Sequence, residues 1–295
     1  MTGIPIGIVV INEVGLGRIR YIHLVQACQN IMVKCIEAPD TFVGSFDSAS
    51  ASTHASTSSL ALLRQFLAQL DLDQLNQQFA EATPQEILAW CVRYIPQGLV
   101  QTTSFSLLTL THMLYSELAH PVPVIFLDTL HLFPETLETA QKAKAAYDLD
   151  LHTYRVLGAD SPEAFASRYG ERLWAEDVER FYALTKIEPL QRGLEELGAV
   201  AWITGRRRDQ SDVRKNLPIF ERDDQGRLKI NPLATWTNKD IWSYVFAQGV
   251  LYNPLHDQGY TSIGDQPLTT PTAAGEDERA GRWRGSEKTE CGIHW

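Results

Sequence analysis

The apolar run Pro123-Val-Ile-Phe-Leu127 constrains this chain more than any other feature. It shows no alternation of polar and apolar residues, so the strand it predicts is covered on both faces. Val200-Ala-Trp-Ile-Thr204 has the same character and stops at Gly205. Around these runs, Leu62, Leu63, Phe66, Leu67 and Leu70 fall at helical spacing. Thr83 is a good N-cap before Pro84, which predicts a helix over Gln85 to Tyr94 that Gly98 breaks. Strands are expected over Leu99 to Thr103 and Leu151 to Val156, and helices over Ser106 to Leu118 and Pro134 to Tyr147. Strands alternating with helices predict an α/β fold, a parallel sheet flanked by helices. Ligands of such sheets bind outside the carboxyl ends of the strands.

At 295 residues the chain fits one α/β domain with extensions, and an apolar fraction of 44% supports a substantial core. No run approaches the roughly 18 apolar residues of a membrane helix. The net charge of −10 excludes a general nucleic-acid binder, so an anionic ligand needs a local cluster of cations. Cys28, Cys35, Cys91 and Cys291 form no C-x-x-C pair, which suggests neither a disulfide framework nor a zinc site. Met1 to Val10 lacks the basic start of a secretory signal, and the expected compartment is the reducing cytoplasm. Ser45 to Leu60 is rich in Ser, Thr and Ala and reads as a linker. The expected division is an extension and linker over 1–60, an α/β domain over 61–274, and a tail over 275–295. Met32 is a second possible start.

Three expected strand ends are polar. Gln101-Thr-Thr-Ser-Phe-Ser106 offers hydroxyls and N–H groups for a phosphate, or an ordinary N-cap by Ser104 or Ser106. Asp128, in Leu127-Asp-Thr-Leu-His-Leu-Phe-Pro-Glu-Thr136, could orient a ligand hydroxyl or amine, or satisfy loop backbone groups. Thr204-Gly-Arg-Arg-Arg-Asp-Gln-Ser211 sets three arginines directly after a buried strand, with Arg214 and Lys215 adding to them. Guanidinium groups pair with phosphate and sulfate oxygens and stay charged at any relevant pH, although a solvated charge run has the same composition.

The tail ends Lys288-Thr-Glu-Cys-Gly-Ile-His294, then Trp295. Lys288 and His294 favour a thiolate at Cys291, the nucleophilic form, while Glu290 opposes it. An exposed cysteine on a chain end can equally be a bystander.

In this order, these segments resemble the phosphoadenylyl-sulfate (PAPS) reductases of assimilatory sulfate reduction. Lys229-Ile-Asn-Pro-Leu233 and Gly275-Glu-Asp-Glu-Arg-Ala-Gly-Arg-Trp283 complete the match, which covers about Leu72 to His294. The resemblance implies an adenine-nucleotide α-hydrolase-like fold with a mobile catalytic tail. It implies Cys291 as the nucleophile that attacks the sulfate sulfur, with His294 beside it. The Cys S-sulfonate is then reduced by thioredoxin or glutaredoxin, which frees sulfite. Lys186, Arg207, Arg208, Arg279, Arg282 and His294 become the anion-contacting candidates, with Ser104 and Asp128 completing the substrate site. The family has glycine where this chain has Ser106, and its members often form homodimers.

The related adenylyl-sulfate (APS) reductases carry a four-iron cluster on a Cys-Cys pair and a later C-x-x-C. Here Phe181, Tyr182, Asp265 and Leu268 occupy those four positions, so no cluster forms by that scheme. The expectation is a cluster-free enzyme without bound cofactor or metal, acting on PAPS, with cluster-free action on APS as the alternative. Two rivals remain. An adenylyl transferase of the same fold would need an S-G-G-x-D-S loop, where this chain has Thr103-Ser-Phe-Ser-Leu-Leu108. Such a transferase also has no use for Cys291; a non-catalytic nucleotide sensor would keep the pocket but not the turnover.

Overall fold

A computed structural model describes residues 59–285 and 288–294. The expectations for the extension, apart from residues 59 and 60, and for Trp295 lie outside the described residues. Among these residues one sheet contains β1 (Leu99–Thr103), β2 (Val124–Leu127), β3 (Leu151–Tyr154), β4 (Ala201–Ile203), β5 (Phe220–Arg222) and β6 (Leu228–Ile230). Their spatial order is β3-β2-β1-β4-β6-β5.

The apolar runs are buried on both faces because successive side chains feed two cores. Leu99, Val124, Phe126, Ala201 and Ile203 enter the larger one, with the helices Pro84–Tyr94 and Asn238–Gln248. Val100, Ile125 and Trp202 enter the smaller one, with Leu190 and Leu194 of the helix Glu188–Glu196. Fully burying each such side chain contributes about 1.5–3 kcal/mol.

The expectation of a parallel sheet needs one correction. β5 runs antiparallel to β6, while the other neighbours pair in parallel. The turn between β5 and β6 is too short for a parallel crossover, and Asp223 closes it by accepting the N–H groups of Gln225 and Arg227 at 3.0 and 2.9 Å.

Local signals explain the helix limits. Thr83 and Glu86 form a reciprocal capping box at Pro84–Tyr94. Pro134–Tyr147 starts on its proline and stops where Asp148 turns left-handed. The helix expected from Ser106 begins only at Thr109, because Phe105 adopts φ 52° and seats its ring against Phe126, centroids 4.9 Å apart. Neither Ser104 nor Ser106 caps it. A further helical stretch runs Val178–Tyr182, then a π turn Ala183–Ile187, then Glu188–Glu196. Pro189 has no N–H with which to close an ordinary turn, and the wider turn precedes it.

Candidate active site

The chain runs β1 to β2 to β3 in one direction and then returns to place β4 on the other side of β1. At this switch the loops after β1 and β4 diverge and leave a crevice at the carboxyl ends of the strands. A cleft of about 260 Å³ lies there. Its wall includes Thr103 at the end of β1, Ser104 and Ser106 after it, Thr204 to Arg207 after β4, and Cys291, Ile293 and His294 of the tail.

Lys186, Arg206, Arg207, Arg214, Arg279 and Arg282 line this cleft. Most are already neutralised by the chain. Lys186, on the π turn, donates to Asp265 at 2.6 Å. Arg206 pairs with Glu221 and donates to Asn231 at 3.3 Å. Arg207, only 2% exposed, holds Asp209 at 2.9 Å and also Glu278. Among the described residues, Arg282 is the cleft cation with no carboxylate at ion-pair distance. Its guanidinium lies 4.5 Å from the Trp283 ring centre and donates to the Ile263 carbonyl at 3.4 Å. The Nε atoms of Arg279 and Arg282 and the Nδ1 atom of His294 are buried without a hydrogen-bond partner. Unmet polar groups of this kind cost about 1–3 kcal/mol each, and an anionic ligand is the partner that two guanidinium N–H donors suit.

Trp283, Glu290 and His294 dock the tail, and Lys288 pairs with Glu179. Trp283 is buried at φ 50° and donates its indole N–H to the Tyr182 hydroxyl at 2.6 Å. Glu290 is held by Arg214 through both oxygens, at 2.6 and 2.7 Å, and by Arg279 at 3.2 Å. His294 stacks on Trp202, and its carbonyl accepts from Lys229 at 3.1 Å.

Burial and crowded cations set the charge states. Burial, then Arg214, pushes Arg206 down to about 10, and burial and Arg214 act alike on Arg279. Burial, then Arg206, lowers Lys229 to about 7. Burial, then Arg206, takes His294 well below its ordinary value, so its ring is neutral at pH 7, with one donor and one acceptor nitrogen. For Glu290 burial favours the neutral acid, but Arg214 and Arg279 outweigh it and keep the carboxylate ionised.

Of the residues singled out in the sequence, Ser104, Lys186, Arg207, Arg279, Arg282, Cys291 and His294 meet at this cleft. Arg208 and Asp128 are placed otherwise. The exposed Arg208 donates to the Leu217 carbonyl at 2.8 Å. Asp128 takes Arg155 at 2.7 Å and the Leu130 N–H at 3.0 Å, the loop-satisfying role. Arg206, Arg214, Trp202, Lys229 and Glu290 were not among the candidates. Arg206 and Arg214 carried a signal as members of the basic run; Trp202 read only as strand core. Ser106 bonds His256 at 2.9 Å.

The positions that hold cluster cysteines in APS reductases fall in one neighbourhood. Phe181, Tyr182, Trp283 and Leu268 pack together, and Asp265 is spent on Lys186 and Thr129. Among the described residues no group of three or more His, Cys, Asp or Glu is arranged to hold a metal ion.

Residues 99–271 match the phosphoadenosine phosphosulfate reductase domain. The phosphoadenosine phosphosulfate reductase of Emericella nidulans is 46% identical over 229 residues, 76% of this chain and 74% of that protein. This chain belongs to the phosphoadenosine phosphosulfate reductase family. The Saccharomyces cerevisiae reductase of that name is 44% identical over 238 residues, 77% of this chain and 91% of that protein. An adenosine 5′-phosphosulfate reductase of Salinibacter ruber is 41% identical, over 76% of this chain and 88% of its own length. The crystal structure of the Candida auris PAPS reductase, a phosphate complex, superposes with a TM-score of 0.63 at 41% identity, covering 68% of this chain and 97% of that one. The fold is the adenine-nucleotide α-hydrolase-like one, and no described helix is long and apolar enough to cross a membrane.

Proposed function

We propose that this reductase-family chain converts PAPS to sulfite and adenosine 3′,5′-bisphosphate through a covalent adduct on Cys291. The observation that carries this reading is the presence of Cys291 in the same cleft wall as Lys186, Arg207, Arg279, Arg282 and His294. The Cys291 thiolate attacks the sulfate sulfur, and the bond from that sulfur to the bridging oxygen breaks. The bisphosphate leaves with the electron pair, and Cys291 carries the sulfonate. Arg279 and Arg282 offset the charge that would repel the thiolate and the charge that grows on the leaving phosphate. Neutral His294 hydrogen-bonds without adding charge.

A dithiol protein, thioredoxin or glutaredoxin, then completes the cycle. One of its thiolates attacks Cys291 Sγ and expels sulfite; its second thiol resolves the mixed disulfide. The reductant loses two electrons and two protons and becomes a disulfide, while Cys291 is regenerated. The tail opens to present the adduct. Free thiols at Cys91 and Cys291 agree with a cytoplasmic enzyme, and a homodimer is the expected assembly.

The test is intact-mass spectrometry of the reduced protein after separate incubation with PAPS and APS, without reductant. A gain of one SO₃ on Cys291 that thioredoxin removes supports the reading, and the faster nucleotide identifies the substrate. Nucleotide binding without an adduct from either would leave a sensor or a transferase instead.

A further inference from the structure

On its N-terminal side Cys291 is held in the cleft by its neighbour. The Glu290 carboxylate meets the Arg214 guanidinium edge-on, Nε to Oε1 at 2.6 Å and NH2 to Oε2 at 2.7 Å. Arg279 adds a contact to Oε2 at 3.2 Å and donates to the Thr289 carbonyl at 3.0 Å. Glu290 and Arg214 are both buried. A two-pronged pair fixes direction as well as distance, because the planar fork accepts a carboxylate in one orientation. Beyond Cys291, Ile293 packs against the Val100–Trp202 cluster and His294 is docked on Trp202 and Lys229. Gly292 follows at φ 85° and leaves the chain free to turn, and Cys291 itself packs only at the margin of the Phe181–Trp283 cluster.

The same contacts divide the arginine donors. Arg214 spends NH1 on Gln210 and its remaining edge on Glu290. Arg279 spends NH2 on the tail and keeps its buried Nε unpartnered, as does Arg282. One set of N–H groups therefore grips the tail, and another remains for an anion.

We propose that Glu290 is the positioning residue of the tail: clamped by Arg214 and Arg279, it aims Cys291 at the sulfur while leaving other donors of the cleft to the substrate. This rests on the reading of Cys291 as nucleophile. Glu290 touches no reacting atom. Its loss misplaces the thiolate, and a displacement of about 1 Å in a reacting group is enough for about a 100-fold loss of rate. The nucleotide keeps its contacts, and the two guanidiniums are no longer neutralised by the tail.

The experiment compares wild type, Glu290→Gln and Glu290→Asp in two measurements: the single-turnover rate of S-sulfonate formation from PAPS, and the affinity for adenosine 3′,5′-bisphosphate. Both substitutions are expected to slow adduct formation about 100-fold. Bisphosphate affinity is expected to stay at or above the wild-type value in both. Aspartate keeps the charge between the arginines, so that variant tests aim alone should the Gln variant fold poorly. Adduct formation at the wild-type rate in either folded variant would overturn the proposal, as would parallel loss of rate and affinity, which marks a merely structural residue. Failure of wild type itself to form the adduct would instead remove the reading of Cys291 as nucleophile.

Discussion

The imidazole of His294 lies flat on the indole of Trp202, ring centroids 5.9 Å apart and planes within 11°. Trp202 belongs to β4, in the middle of the sheet, so the last described residue of the tail rests on a rigid surface. Lys229 of β6 stands 5.1 Å from the centre of the same indole and donates to the His294 carbonyl at 3.1 Å. Replacing Trp202 with Ala removes both the stacking surface and a fully buried core side chain. It should cost about 3–5 kcal/mol in urea unfolding. Trp202→Phe should recover most of that stability yet still dock His294 less well, seen as faster alkylation of Cys291.

Acid should loosen this arrangement. The unfolded chain binds a proton at His294 near pH 6.5, whereas the docked ring resists it, so stability falls as pH drops below about 6.5. Lys229 acts on the other side. Its folded value is about 7 and its unfolded value near 10.5, so between these the unfolded chain holds more protons and stability rises with pH. Below pH 7 its penalty is complete and constant. Urea midpoints from pH 5 to 9 should therefore climb throughout, and Lys229→Met should flatten the alkaline part of the curve only.

The adjacent arginines 207 and 208 should behave oppositely. Arg207→Ala leaves Glu278 buried beside Asp209 without its cation, and should destabilise by about 3–5 kcal/mol. Arg208→Ala removes an exposed side chain and should change stability by no more than about 0.5 kcal/mol. Bisphosphate affinity should also be unaffected in Arg208→Ala. Parallel denaturation and calorimetric titration of the two variants check both statements.

Arg282→Ala should act mainly on ligand binding, because among the described residues no carboxylate lies at ion-pair distance from it. A lost hydrogen bond to a charged ligand group typically costs about 1.5–3 kcal/mol, or roughly 10- to 150-fold in affinity for the bisphosphate or for sulfite's precursor PAPS. The dependence of affinity on salt should weaken in the same variant.

Much of this was legible in the amino-acid order. Leu99 to Thr103 and Pro134 to Tyr147 have the limits expected of them, because a short strand that follows a glycine break and a Pro-initiated helix depend on local chemistry. The short β5 and β6 carry no such signature; Phe220–Arg222 becomes a strand only by pairing with Leu228–Ile230. At the cleft, the basic run announced a cation cluster but not which members turn inward. The 3₁₀ turn Arg208–Gln210 directs Arg208 outward, and the next turn brings Arg214 in. Asp128 stands at a strand end as a ligand residue would, yet Arg155, 27 residues later, claims it. Such distant partners leave no periodicity to read.

The lodged Trp283 ring gives the tail a fixed pivot. Seven residues lie between it and Cys291, eight steps along the chain, and a fully extended chain advances at most about 3.3–3.6 Å per residue. The tether from pivot to thiol is thus about 26–29 Å at full stretch. On the proposed mechanism, that length is the farthest the sulfonated cysteine can be carried from the pivot toward a protein reductant. On that reading the leash sets how far the two half-reactions can be separated in space.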